Sequence, residues 1–113
     1  MAKQITSSEA KELCNNYDSK YAELSKLIGK DDNRSSYIPL SELKDYIDYL
    51  ESSGEGVDGI RIYLGSYDKN ETGKEDFTTV FIAPTKEKTD VTSLKAFNRG
   101  VYGNPPSKKY GGL

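Results

Sequence analysis

The chain has 113 residues, a length suited to one small domain that buries roughly two-thirds of the surface its unfolded chain exposes. Its apolar share of 35% against 30% charged residues, with nine Tyr and three Phe, reads as globular, and 16 basic against 18 acidic residues leave a net charge of −2 spread along most of the chain, so no global field points to nucleic acid or membrane. Histidine is absent and there is one cysteine, which excludes Ser-His and Cys-His nucleophile pairs and any structural zinc site.

The N-terminal segment MAKQITSSEAKEL has no apolar stretch of signal-peptide length, and no run approaches the roughly 20 apolar residues of a membrane helix. A cytoplasmic, non-membrane protein is the expectation. Thr6 and Glu9 have the spacing of a capping box, flanked by Ile5 and Ala10 as a hydrophobic staple. From there Ala10, Leu13, Cys14, Tyr17, Tyr21, Leu24 and Ile28 recur at intervals of three and four, so one helix of about five turns is predicted, stopping at Gly29. Cys14 lies on this stripe and reads as a small hydrophobe.

Lys30 to Ser35 reads as a polar connection, and Tyr37 with Ile38 as a short strand before Pro39. Ser41 is the expected N-cap of a second helix, in which Leu43, Tyr46, Ile47 and Leu50 form the apolar stripe up to Gly54, with Asp45, Asp48 and Glu51 on the wet side. Beyond the Gly-rich turn at Ser53 to Gly56 the period becomes two: Ile60, Ile62 and Leu64 point one way, Arg61, Tyr63 and Tyr67 the other. Phe77 to Ala83 is a second strand, β-branched and aromatic on both faces as suits a central strand, and Pro84 is expected to end it. The polar stretch Asp68 to Asp76 joins the two as a long hairpin loop. After Val91 glycines and prolines predict extended or irregular chain, with Val91, Leu94, Phe97 and Val101 against the core.

The expected fold is therefore a single α+β domain over 1–113: a helical part at 1–54 whose two N-terminal helices pack on a small antiparallel sheet, a β-hairpin at 55–85, and an irregular C-terminal segment at 86–113.

Four constellations bear on function. The adjacent acids Asp31-Asp32 and Glu75-Asp76 lie in polar loops and read as solvated charge. Asp68 to Asp76 partly imitates a calcium loop, but its twelfth position is Thr79 where a bidentate Glu is needed, so neither metal nor cofactor is expected. On the polar strand face Gly65 leaves a slot between Tyr63 and Tyr67 with Arg61 at one end, a shape for a planar or anionic ligand. Beyond Asp90 the chain carries Lys95, Arg99, Lys108 and Lys109 but no acid, interleaved with Phe97, Tyr102 and Tyr110, a weak pattern for a polyanion.

The segments SSYIPLSELKDYIDYL, GIRIYLGSY, TTVFIAPT and GNPP together resemble a family of small uncharacterised bacterial proteins seen mostly in Bacteroidetes. The likeness spans about Ser35 to Pro106. It implies a bacterial, cytosolic origin and carries over no activity, cofactor, partner or functional residue.

The leading expectation is a non-enzymatic binding module that takes a protein partner or small ligand through Arg61, Tyr63 and Tyr67, joined by Arg99 and Tyr102 of the C-terminal segment, since Tyr and Arg concentrate binding energy. Homo-oligomerisation through an open sheet edge belongs to the same class. The alternatives are a His-free enzyme acting on a polar or phosphorylated small molecule, and nucleic-acid or other polyanion binding by the basic C-terminal segment.

Overall fold

A computed structural model describes residues 3–98 and 105–111. Among the described residues six elements follow one another: α1 (Ser7–Asn16), α2 (Asp18–Ile28), α3 (Leu40–Glu51), β1 (Gly59–Ser66), β2 (Thr78–Lys86) and β3 (Thr89–Asp90). The protein is α+β, with three helices ahead of a three-stranded antiparallel sheet of order β1-β2-β3. The residues gather into two compact units, Met1–Ser35 with Tyr102–Leu113 and Ser36–Val101. Of the two predicted helices, the second belongs to the sheet-containing unit and the first to the other.

The first unit starts at the expected capping box: Glu9 N–H donates to Thr6 Oγ1 at 3.1 Å and Thr6 N–H to Glu9 Oε1 at 3.1 Å. Instead of one long helix there are two, divided at Tyr17. Two effects meet there. Asn15 and Asn16 are weak helix formers, and the Cys14 carbonyl accepts Tyr17 N–H at 3.2 Å and Arg34 Nη2 at 2.8 Å, so the helical bond is diverted into a tight turn. Gly29 ends α2 at φ 76°, with its N–H on Lys26 O and Lys30 N–H on Ser25 O, a Schellman stop.

No residue of α1 or α2 is buried. Burial falls instead on Asp32, 2% exposed, and Asn33 in the connection that the sequence reading leaves solvated. That expectation fails at Asp32 because the chain folds in on its own polar groups: Asp32 N–H donates to Ser25 Oγ at 2.9 Å, and Asn33 N–H to Asp32 Oδ1 at 2.8 Å.

The second unit holds the apolar core, in which Tyr46 and Leu50 of α3 meet Ile82 of β2, with Ile38, Leu43, Val57, Leu94 and Phe97 around them. The helix begins one residue after Pro39, earlier than the Ser41 cap predicts, because Pro39 presets its φ at −59° and its carbonyl takes the N–H of Leu43 at 3.1 Å. Tyr37 and Ile38 form no strand; Ile38 serves the core.

The strand pair is regular, running from Gly59↔Thr85 to Ser66↔Thr78 without a bulge at Gly65. Pro84 does not end β2, which continues to Lys86. A strand residue points its nitrogen and carbonyl to the same side. Since the Pro84 carbonyl accepts Val91 N–H at 2.9 Å, its hydrogen-free nitrogen faces the β3 side, and pairing with β1 asks nothing of it. The segment after β3 is partly ordered as sheet too, with Phe97 bridged to Ile82.

Candidate functional site

The polar face of β1 is built as the alternation requires, but its groups are engaged within the chain. Arg61 Nη2 donates to Lys88 O at 2.8 Å and Arg61 Nε lies 3.8 Å from Asp90 Oδ1. Tyr63 Oη donates to Asp90 Oδ2 at 2.5 Å, and its ring stacks on Phe81, its partner across the ladder, with centroids 5.2 Å apart. Both side chains thus reach over β2 to hold β3, a strand of only two residues that its own ladder fixes weakly. The bond to Asp90, more than burial, raises the Tyr63 phenol above its ordinary pKa.

Tyr67 stands further along, accepting from Thr79 Oγ1 at 3.4 Å and donating to Asn98 Oδ1 at 3.3 Å, with Lys74 Nζ 5.0 Å from its ring centre. A methyl group at Gly65 would meet Phe81 and Thr79 at 3.8 Å, so the space between Tyr63 and Tyr67 is already bordered by β2. Arg99, Tyr102 and Val101 lie outside the described residues.

The loop from Asp68 to Asp76 is a chain of turns: Asn70 N–H donates to Asp68 Oδ1, Glu71 N–H to Asp68 O, Lys74 N–H to Glu71 O and Gly73 N–H to Glu75. Among the described residues no three carboxylates or thiols gather to hold a metal ion.

The opposite face of β1 carries what the sequence reading missed. The alternation correctly puts Ile60, Ile62 and Leu64 on one side, the side of Ile82 and α3. Yet these residues are 46%, 65% and 78% exposed. The reason is width. A helix about 10 Å across covers about two strands spaced 4.8 Å apart, and α3 is drawn over β2 and the Phe97 segment, where Tyr46 Oη donates to Lys95 O at 2.8 Å and Lys95 N–H to Tyr49 Oη at 2.9 Å. Beside α3 an open groove of 250 Å³ runs to β1, lined by Ile47, Leu50, Val57 and Ile60 together with Glu51 and Asp58. No single residue signals this; it needs the count of helices available to a three-stranded sheet.

The edge itself is equally specific. Ile82 and Phe97 exchange both backbone hydrogen bonds, each at 2.9 Å, so the polar backbone of Ile82 faces away from β1. Its partner Ile62 therefore points its own N–H and C=O away from β2, and by the two-residue period so do Ile60 and Leu64. Three apolar side chains and their backbone groups thus share one open edge among the described residues.

In the first unit, Arg34 is the organising side chain and is 6% exposed. Its guanidinium pairs with Asp18 Oδ1 at 2.9 Å, caps Cys14 O, and lies 4.7 Å and 5.6 Å from the ring centres of Tyr21 and Tyr17. Lys109 Nζ reaches the other oxygen of Asp18 at 3.0 Å. These two cations, Lys109 foremost, hold the Asp18 carboxyl below its ordinary range against the effect of desolvation. Next to them Cys14, Arg34, Ser35, Lys108, Lys109 and Tyr110 line an open cavity of 360 Å³.

Of the aromatics expected to stack on a polyanion, Phe97 is half-buried against the core with its ring 5.1 Å from that of Tyr46, and Tyr110 Oη donates to Ser7 Oγ at 3.3 Å. No helix among the described residues is long and apolar enough to cross a membrane. Compared with known proteins, the chain matches no family model, and no curated protein or solved structure is significantly similar to it.

Proposed function

We propose that this chain is a non-enzymatic interaction module that takes a protein partner along β1. One observation carries the reading: Ile60, Ile62 and Leu64 stand exposed in a row on a strand edge whose backbone donors and acceptors are unpaired among the described residues. Exposed edges of this kind are normally blunted by charge, proline or a bulge, and β1 has neither proline nor bulge and only Arg61 as a charge, on the other face. Covering the row would contribute on the order of 1 to 2 kcal/mol per side chain, and an added strand would satisfy the backbone as well. The Arg61 and Tyr63 face supports this role indirectly, by fixing β3 and so holding the sheet rigid.

The test compares capture by tagged protein before and after Ile60→Lys with Leu64→Lys, alongside Arg61→Ala with Tyr63→Phe. The first pair removes the captured partner and leaves the circular dichroism spectrum of the folded chain in place; the second keeps capture. Capture that survives lysines at both positions overturns the proposal.

A further inference from the structure

Taking β1 as the binding edge, as proposed above, we infer that its partner is a second copy of this chain, paired antiparallel through β1 about a two-fold axis at Ile62. Three observations converge on that occupant. The edge-facing residues are even-numbered, and a two-fold at Ile62 sets Ile62 against Ile62 and Ile60 against Leu64 of the other copy. Each of these is a hydrogen-bonding pair, because both members point their backbone outward.

The side chains are complementary in the same register. On the α3 face all three apolar residues meet apolar partners. On the other face Gly59 meets Gly65, and Arg61 meets Tyr63, so the only charge in the strand never opposes itself. Moving the axis to Arg61 would set guanidinium against guanidinium. Moving it to Tyr63 would place Ile60 against Ser66 and leave part of the apolar row unmatched.

The geometry leaves room for the assembly. A two-fold normal to the sheet keeps both α3 helices on the same side, and the two β2 strands end three strand spacings apart, roughly 14 Å. Helices about 10 Å across then stand clear of one another, and the gap between them is filled by the apolar rows of both copies. The groove beside α3 becomes interior instead of surface. The result is a continuous six-stranded sheet, a self-complementary contact of the kind that closes as a dimer.

The experiment uses the 113-residue chain carrying Cys14→Ser, so that no native thiol of this chain competes. Added Ile62→Cys links the copies under mild oxidation, because a hydrogen-bonded antiparallel pair holds its Cα atoms about 5.5 Å apart, within disulfide reach. Ile60→Cys and Leu64→Cys alone do not link, being displaced by four residues, about 13 Å, from their own symmetry mates. Combined in one chain they do. Sedimentation of the unmodified chain reads a dimer, weakened about a hundredfold by Leu64→Lys.

A chain that sediments as a monomer at about 100 µM, or an Ile62→Cys variant that fails to link, overturns the second copy as the occupant. If lysines at Ile60 and Leu64 still abolish capture in that case, β1 remains a binding edge for another protein. If capture persists, the interaction reading falls with it.

Discussion

Ile82 and Phe97 exchange a pair of backbone hydrogen bonds at 2.9 Å, and this one pairing settles the polarity of a strand neither residue belongs to. With the backbone of Ile82 turned toward Phe97, the ladder between β1 and β2 is carried by the odd-numbered residues of β1, and the even-numbered ones are left to the open side. A row of apolar side chains and a row of backbone groups left unpaired among the described residues consequently fall on the same positions.

Amide exchange in dilute protein, where self-association is absent, should follow that alternation. Arg61 and Tyr63 donate into β2 and are expected to exchange at least about tenfold more slowly than Ile62 and Leu64. Uniform protection along β1 would mean that the phase of the ladder is wrong. Protection of Ile62 that rises with protein concentration would report the edge being covered.

Leu50 and Ile62 are both large aliphatics facing the same layer, yet they should respond oppositely to truncation. Leu50 is 4% exposed, and Leu50→Ala is expected to cost about 3 kcal/mol in chemical denaturation. Ile62→Ala should change the stability of the monomer by less than about 0.5 kcal/mol. Similar losses at the two positions would contradict the exposure of the β1 row.

Arg34 offers a test of the first unit. Lysine keeps the charge near Asp18 but cannot simultaneously pair with the carboxylate, cap the Cys14 carbonyl and lie over the rings of Tyr21 and Tyr17. Arg34→Lys is therefore expected to destabilise this unit by about 2 kcal/mol, read as an earlier loss of helical ellipticity. A melt unchanged from that of the native chain would reduce Arg34 to a surface charge.

The Tyr63 phenol, raised above its ordinary value of 10.0 chiefly by its bond to Asp90, makes stability depend on alkaline pH. The folded chain holds this proton more tightly than the unfolded one. Its contribution is therefore complete below pH 10 and disappears as pH rises through the higher folded value. Tyrosinate absorbance should show the phenols of Tyr63, Tyr46 and Tyr21 ionising late, and Asp90→Asn should bring one of them back toward the ordinary range. A titration that Asp90→Asn leaves unaltered would remove Tyr63 from the late phenols and leave Tyr46 and Tyr21, both raised mainly by desolvation.

Local rules were legible from residues close in sequence. The capping box at Thr6, the Gly29 stop, the helix containing Tyr46 and Leu50, and the change to a two-residue period at Ile60 all depend on neighbours within a few positions, where propensity and hydrophobic spacing act directly. The same alternation separated Ile60, Ile62 and Leu64 from Arg61 and Tyr63. What it could not say was which face would stay wet.

That choice belongs to the tertiary structure, because burial is a relation between elements and not a property of a strand. The helix α3 has width for part of the sheet only, and the tyrosine hydroxyls bound at Lys95 draw it toward Phe97 and away from β1. Likewise Asp32 and Arg34 look like surface charges in a polar connection until Ser25, Asp18 and the Cys14 carbonyl are brought around them. Sequence determined the helix ends at Thr6 and Gly29, the helix of Tyr46 and Leu50 and the two faces of β1, but neither the break at Tyr17 nor the run of β2 past Pro84. Long-range packing decided that an apolar face would remain open and that charged residues would lie inside, since desolvation depends on which distant groups arrive to replace the water.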